Sequence, residues 1–417
     1  MQVITALDYA LLPVYVGVIY FIAYRIRNRY YPLNHPWRKY FIPGLSLKLF
    51  GALFISLIYQ YYYGDGDTFR YFRDAQLVNN SFNDSYLTWF NLVFHLPSID
   101  EPAFYKYTSQ LAWYTDTASF TVSAVAAFLG VFTFTTYIPT SLLFAAFSFT
   151  GLWALFRTFA KIYPLYIRPI AVATLFIPSV FVWGSGIFKD TICMFALGWL
   201  TYTTFRVLIR RDFSFSNIFF VLVCFALVAK VKIYILVGFV PALLLWILFS
   251  YLQRIQNSVL RVFTKITVLV GFAIVSLIVF EGLGDKLGRY SFTKIAETSE
   301  ITRNYISQIS GDEGSAYNLG EFDSQDPTSM LTKFPAAVNV TLYRPYLWES
   351  KKVIILLSGL ESFLFLVISL RVLFALGLKK TVGTIAQDPN IQFCLVFSIL
   401  FAFAVGISTY NFGALSR

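Results

Sequence analysis

The sequence predicts an all-α fold, a polytopic transmembrane helical bundle of about ten spans. Three observations predict it. Apolar runs repeatedly reach the roughly 20 residues that carry a helix across a bilayer. Only 13% of the 417 residues are charged and 57% are hydrophobic, a charge share about half that of a soluble chain. The Lys and Arg residues collect in short loops between apolar runs, the bias of loops that stay in the cytoplasm. The strands of a membrane β-barrel would alternate instead.

The formal net charge of +11 therefore reads as topology, and no nucleic-acid partner is expected. Cys193, Cys224 and Cys394 lie in apolar runs without CxxC spacing, so neither a disulfide framework nor a zinc site is expected. The first apolar run leads directly into Arg25 with no small-residue cleavage site. It reads as a span, not a signal peptide.

The first span is 9–24. The loop after it holds Arg25, Arg27, Arg29, Arg38, Lys39 and Lys48 and no acid, which places it inside and the N-terminus outside. The span 46–63 returns outward to Gly64-Asp65-Gly66-Asp67. A first outer loop, 64–135, follows. In it 86–96 is amphipathic and suits the membrane interface, and 118–134 is apolar enough to span or to form a re-entrant hairpin. Charge decides for the second. With 118–134 not spanning, later spans fall at 138–158, 169–186, 188–208, 215–231, 232–252, 264–282, 352–376 and 390–409. Every inner loop is then basic, and of the 22 acids only Asp212 and Asp388 fall inside, with Glu361 within a span. Both termini lie outside. The chain reads as one integral membrane domain, 1–417, with a second outer loop at 283–351. Residues 309–328 there hold several acids and glycines without EF-hand spacing.

This topology sends unusual groups to the outer face. Asp65 and Asp67, separated by a glycine that lets the backbone turn, are candidates for a general base and for a shared divalent cation, Mg or Mn. A helix cap with tyrosine anchors at 61–63 explains the same residues without chemistry. Lys189 and Asp190 follow the turn Trp183-Gly184-Ser185-Gly186, which has the look of a backbone nest for an anion. Lys230 and Lys232 flank the outer end of another span. Arg344 is a fork suited to diphosphate, or a partner for Glu349. Glu361 lies about three turns into its span and is expected to face the protein interior. Arg417 closes the candidate substrate-binding set. Carboxylates, bases and aromatic platforms together suit a lipid-phosphate sugar donor.

The Gly-Asp-Gly-Asp-Thr turn and the segments 178–190, 343–349 and 411–417 carry a resemblance. The chain resembles multi-span glycosyltransferases of the GT-C type and bacterial polysaccharide polymerases and ligases that use polyprenyl-diphosphate-linked sugars. The resemblance implies an acidic catalytic residue in the first outer loop, here Asp65 or Asp67. It also implies a polyprenyl-linked saccharide as partner beside membrane lipids, an envelope glycan as product and a place in a bacterial inner membrane. Two other classes compete. One is a non-catalytic membrane subunit of an envelope secretion or motility complex, with protein partners on the outer loop. The other is a transporter or flippase for an anionic lipid-linked glycan, which needs polar groups along a path that these spans largely lack.

Overall fold

The computed structural model describes residues 3–283, 292–310, 316–320, 327–350 and 353–415. It is about 80% helical and contains no strand among the described residues. The helices are α1 Ala6–Tyr30, α2 Arg38–Ile58, α3 Asp67–Asn80, α4 Tyr86–Val93, α5 Tyr105–Thr108, α6 Thr117–Val131, α7 Tyr137–Ile162, α8 Ile167–Leu175, α9 Pro178–Trp183 and α10 Lys189–Thr204. They continue as α11 Phe215–Leu252, α12 Ser258–Leu283, α13 Phe292–Ser310, α14 Pro327–Leu331, α15 Phe334–Tyr343, α16 Val353–Leu376, α17 Leu378–Gln387, α18 Pro389–Thr409 and α19 Phe412–Leu415. The chain forms two compact units, Met1–Ile233 and Tyr234–Arg417.

Helix α7 is the centre of the first unit. Of its apolar window 72% is buried, against 17% for α1, so α1 is the helix left to face lipid. The side-chain pairs fix the directions. α1 and α2 are antiparallel: the Tyr9 and Tyr61 hydroxyls meet at 2.8 Å, and Tyr20 meets Ser46 at 2.7 Å. α1 and α7 are parallel. The buried Asp8 carboxylate accepts from Thr5 in its own helix start and from the Ile138 N–H at 2.8 Å, and near the far end Trp153 donates to Tyr31 at 2.7 Å. One carboxylate thus satisfies orphan donors at two helix starts.

α7 and α10 also run parallel, with Phe147 against Phe195 near one end and Arg157 donating to the Tyr202 hydroxyl at 2.6 Å near the other. Their backbones approach closely. A Cβ on Gly198 would lie 2.1 Å from the Gly151 carbonyl oxygen, the small-residue contact on which membrane helices pack. Because these two helices share a direction, 163–188 has to return to the starting end. A single span over 169–186 is expected from sequence. The chain instead breaks at Ile177, extended at φ −71 and ψ 127, because a residue before proline is pushed out of the helical region. α8 and α9 result.

Lys48 also departs from expectation. It lies in the middle of α2, 1% exposed, and not in the inner loop. Its ammonium donates to the carbonyls of Val180, at 3.3 Å, and Gly184. The same contact corrects the expected anion nest. Carbonyls converge there on the Lys48 amine, while the N–H groups of Ser185 and Phe188 are spent on Val182 and Gly186.

Seven helices among the described residues are long and apolar enough to cross a membrane: α1, α2 with its extension to Tyr63, α7, α10 with its extension to Ile209, α11, α16 and α18. α12 covers the expected 264–282 segment as well. The count of ten differs because 169–186 is divided and 215–252 is one helix interrupted at Lys232 (φ −147, ψ 74). α6 has 15 residues, about 22 Å of rise against about 30 Å of hydrocarbon. It is shorter than the helices long enough to span.

The charge bias takes physical form in the first unit. The C-terminal ends of α1, α7 and α10 and the start of α2 carry Arg27, Arg29, Arg38, Lys39, Arg157, Lys161 and Arg206 at one end. Asp8, Asp65, Asp67, Asp116 and Asp190 lie at the other. In the second unit the latter half of α11 runs antiparallel to α18, with Tyr234 beside Phe401 and Trp246 donating to Asn390 at 2.9 Å. Tyr317 is buried against α18, its N–H bonded to the Tyr410 carbonyl at 3.1 Å and its hydroxyl to the Gly406 carbonyl at 2.9 Å.

Candidate functional site

The site begins where α2 stops. A wide π turn, Tyr59–Tyr63, ends the helix, and Gly64 closes it at φ 76 with its N–H on the Tyr59 carbonyl at 2.9 Å. Gly66 takes φ 152, and a Cβ there would come within 2.4 Å of the Tyr59 ring. Only glycine fits that position. Asp67 then opens α3, where a carboxylate suits the positive end of the helix dipole.

The turn separates the two aspartates in role. Asp65 meets Arg70 and Arg73, each at 3.3 Å, on the exposed side. The Gly66 N–H and, after an opposing effect of burial, these two guanidiniums hold its carboxyl below the usual range. Asp67 faces a different set. Its charge reaches the Tyr71 hydroxyl one turn along, as do those of Asp116 and Asp190. Burial, then these three carboxylates, push Tyr71 up to about 12 against a bond from Ser119 that lowers it. Asp65 is thus engaged by arginines, while the charge of Asp67 is felt, with those of Asp116 and Asp190, at one buried phenol.

Asp116 caps α6. It accepts from Ala118 N–H at 3.2 Å, from Ser119 Oγ at 2.5 Å and from Lys189 Nζ at 3.5 Å. Burial raises its carboxyl, but Ser119, the Lys189 charge and the Ala118 N–H together outweigh burial and leave it below the ordinary value. Lys189 and Asp190 form the first turn of α10, seated by Phe188 against the Tyr59 ring at 5.7 Å. Lys232, at the interruption of α11, bridges to Asp190 at 2.5 Å. Lys230 lowers His95 by its charge, after burial, which is the larger cause. His95 lies between Tyr114 and Phe120, centroids 4.5 and 4.7 Å away. The Trp113 indole N–H finds no acceptor among the described residues, and its ring lies 5.7 Å from that of Tyr71.

No protein-family model, curated protein or solved structure matches this chain.

The structure thus brings Asp67, Lys189, Asp190, Lys230 and Lys232 to one end of the first unit. Arg344, Glu349 and Glu361 belong to the second. There Arg344 Nε lies 3.0 and 3.1 Å from the two oxygens of Glu349, which also accepts from the Tyr346 N–H at 2.8 Å. Burial raises Glu349, and the Arg344 bond and charge outweigh it. The Arg344 guanidinium lies over the Phe412 ring, 5.3 Å from its centroid, so the 343–349 and 411–415 motifs meet. Glu361 is half-buried in α16, one residue before Ser362, whose hydroxyl donates to the Arg344 carbonyl at 3.2 Å. Arg417, and the acids at 312, 313, 323 and 326, lie outside the described residues.

Among the described residues no three or more His, Cys, Asp or Glu side chains are grouped to hold a metal ion. Asp65, half of the expected cation pair, is instead engaged by arginines. This donor set does not fit a divalent cation. Sequence reasoning missed Asp116, Ser119, Tyr71 and His95. A signal for Asp116 was present: an aspartate immediately before an apolar helical run is an N-cap.

Proposed function

We propose that this chain is an integral membrane glycosyltransferase or polysaccharide polymerase that takes sugar from a polyprenyl-(di)phosphate carrier on the outer face of a bacterial inner membrane. One observation carries the reading: the starts of α3, α6 and α10 and the interruption of α11 bring three aspartates, a tyrosine and two lysines to the end of the first unit opposite Arg27, Arg157 and Lys161. Asp67 or Asp116 serves as general base on an acceptor hydroxyl. Lys189 and Lys232, with Lys230 beside them, neutralise the leaving phosphate. The Tyr71 hydroxyl, protonated at neutral pH, and the Trp113 N–H donate to the sugar or phosphate oxygens. By the positive-inside rule the basic end faces the cytoplasm and the N-terminus lies outside. The chain then crosses ten times, with 163–188 crossing as a broken segment and 215–252 reversing at Lys232.

The test is glycan synthesis by membranes carrying the chain, with a polyprenyl-linked saccharide as donor. Asp67→Asn or Asp116→Asn is expected to lower product formation by about 100-fold or more, the usual weight of a general base. Asp65→Asn is expected to leave most of it. Full activity in both Asp67→Asn and Asp116→Asn sinks the assignment. A second reading has its own support: Lys189 and Lys232 are each already paired with a carboxylate, as in a purely structural ion-pair network. On that reading the chain is a non-catalytic subunit of an envelope complex. Co-purification of a stoichiometric partner that withstands the aspartate substitutions favours it.

A further inference from the structure

The opposite, basic end of the first unit holds a cavity of about 710 Å³ between the α1–α2 connection and the start of α8. Arg27, Arg38, Lys39 and Arg168 line it, and none of its lining residues is acidic. Two of these cations are deliberately close. Asn28 Oδ1 accepts from Arg27 Nη2 at 3.1 Å and from Arg38 Nη2 at 2.8 Å, and Arg38 Nη1 is fixed on the Tyr31 carbonyl at 2.5 Å. One neutral amide oxygen thus holds two guanidiniums side by side, an arrangement whose mutual repulsion an anion relieves. Leu33 and Leu165, 84% and 90% exposed, are among its apolar lining residues. Greasy side chains beside clustered cations at a span boundary match a molecule that is anionic at one end and apolar at the other.

We infer that this cavity binds the phosphate headgroup of an anionic membrane lipid, with Arg27, Arg38, Lys39 and Arg168 on the phosphate and Leu33 and Leu165 against its acyl chains. Basic pockets between spans on the cytoplasmic side are suited to such headgroups. The site is independent of the aspartate cluster, which lies at the other end of the same helices. It therefore stands or falls apart from the glycosyltransferase reading.

The test is native mass spectrometry of the full chain in neutral detergent, after incubation with phosphatidylglycerol, phosphatidylcholine or sn-glycerol 3-phosphate. Phosphatidylglycerol is expected to be retained at one equivalent, and the other two are not. The double variant Arg27→Gln/Arg168→Gln is expected to weaken retention about tenfold or more, each cation near an anionic headgroup contributing severalfold. Leu165→Glu places an acid at a fully exposed rim position, so it reports on the site even where the double variant fails to fold, and it is expected to act in the same direction. Equal retention of phosphatidylcholine overturns the inference. So does glycerol phosphate binding as tightly as the lipid, which marks a soluble-phosphate site. Unchanged retention in Leu165→Glu also overturns it.

Discussion

Gly66 concentrates the constraints of the site in one residue. Its φ of 152 belongs to a region that L side chains rarely adopt, and the Tyr59 ring occupies the place of a Cβ. Gly64 shares a positive φ of 76 but faces open space. The two substitutions should separate. Gly64→Ala is expected to cost about 1 kcal/mol, the price of a left-handed alanine. Gly66→Ala adds overpacking and is expected to cost about 2–4 kcal/mol. Thermal unfolding in detergent, ranking the two variants against the native chain, checks this; equal midpoints contradict it. Asp116 yields a pH signature. Its folded carboxyl titrates below its ordinary value of 3.8, so its contribution to stability is present above that pH and lost as pH falls below it. Asp116→Asn lacks the contribution at every pH. The stability gap between native chain and variant is therefore expected to be widest above about pH 5 and to close below about pH 4. Unfolding midpoints across that window measure it.

At the scale of elements, α7 and α10 depend on Gly151 and Gly198. Their backbones approach so closely that a Cβ on Gly151 would lie 2.4 Å from the Phe195 carbonyl oxygen. Gly198→Val is expected to cost about 3 kcal/mol or more by forcing the helices apart. Size-exclusion chromatography of the solubilised variant should show loss of the monodisperse peak, whereas Gly17→Val, where nothing lies within 4 Å, should not. Elements were legible in the sequence where apolar runs had clear ends: 9–24, 138–158 and 390–409 fall inside α1, α7 and α18, and 188–208 matches α10 together with the π turn Phe205–Ile209 that continues it, to within a residue. They were illegible where a tertiary contact overrides a local signal. Lys48 reads as a loop residue because an unpaired lysine does not enter a bilayer; carbonyls 132 and 136 positions away take its charge. Pro178 divides 169–186 through the restriction on Ile177, which hydropathy does not register. Among the site residues, Lys189, Asp190 and Lys232 were found because span-end charges are conspicuous. Tyr71 and His95 were not, because their partners, Ser119 in the first turn of α6 and Tyr114 just before that helix, are remote from them in sequence.

For the whole molecule the governing quantity is the sidedness of charge. In the first unit, arginines and lysines close one end of α1, α2, α7 and α10, and aspartates gather at the other. Under the positive-inside rule, the proposed topology reads that division as inside and outside. Two exposed positions report it directly. Tyr62, 67% exposed, lies in the turn before the aspartates, and Leu165, 90% exposed, lies between the basic ends of α7 and α8. In a background with Cys394, the exposed native cysteine, replaced by serine, Tyr62→Cys is expected to react with a membrane-impermeant maleimide in intact spheroplasts. Leu165→Cys is expected to react only after the membrane is opened. The positions are far apart in sequence and joined by an odd number of crossings, so the two reactions must be opposite. Labelling of both from the same side contradicts the charge-based topology. It also removes the outer face as the proposed meeting place of a lipid-linked sugar with Asp67, Asp116 and Lys189.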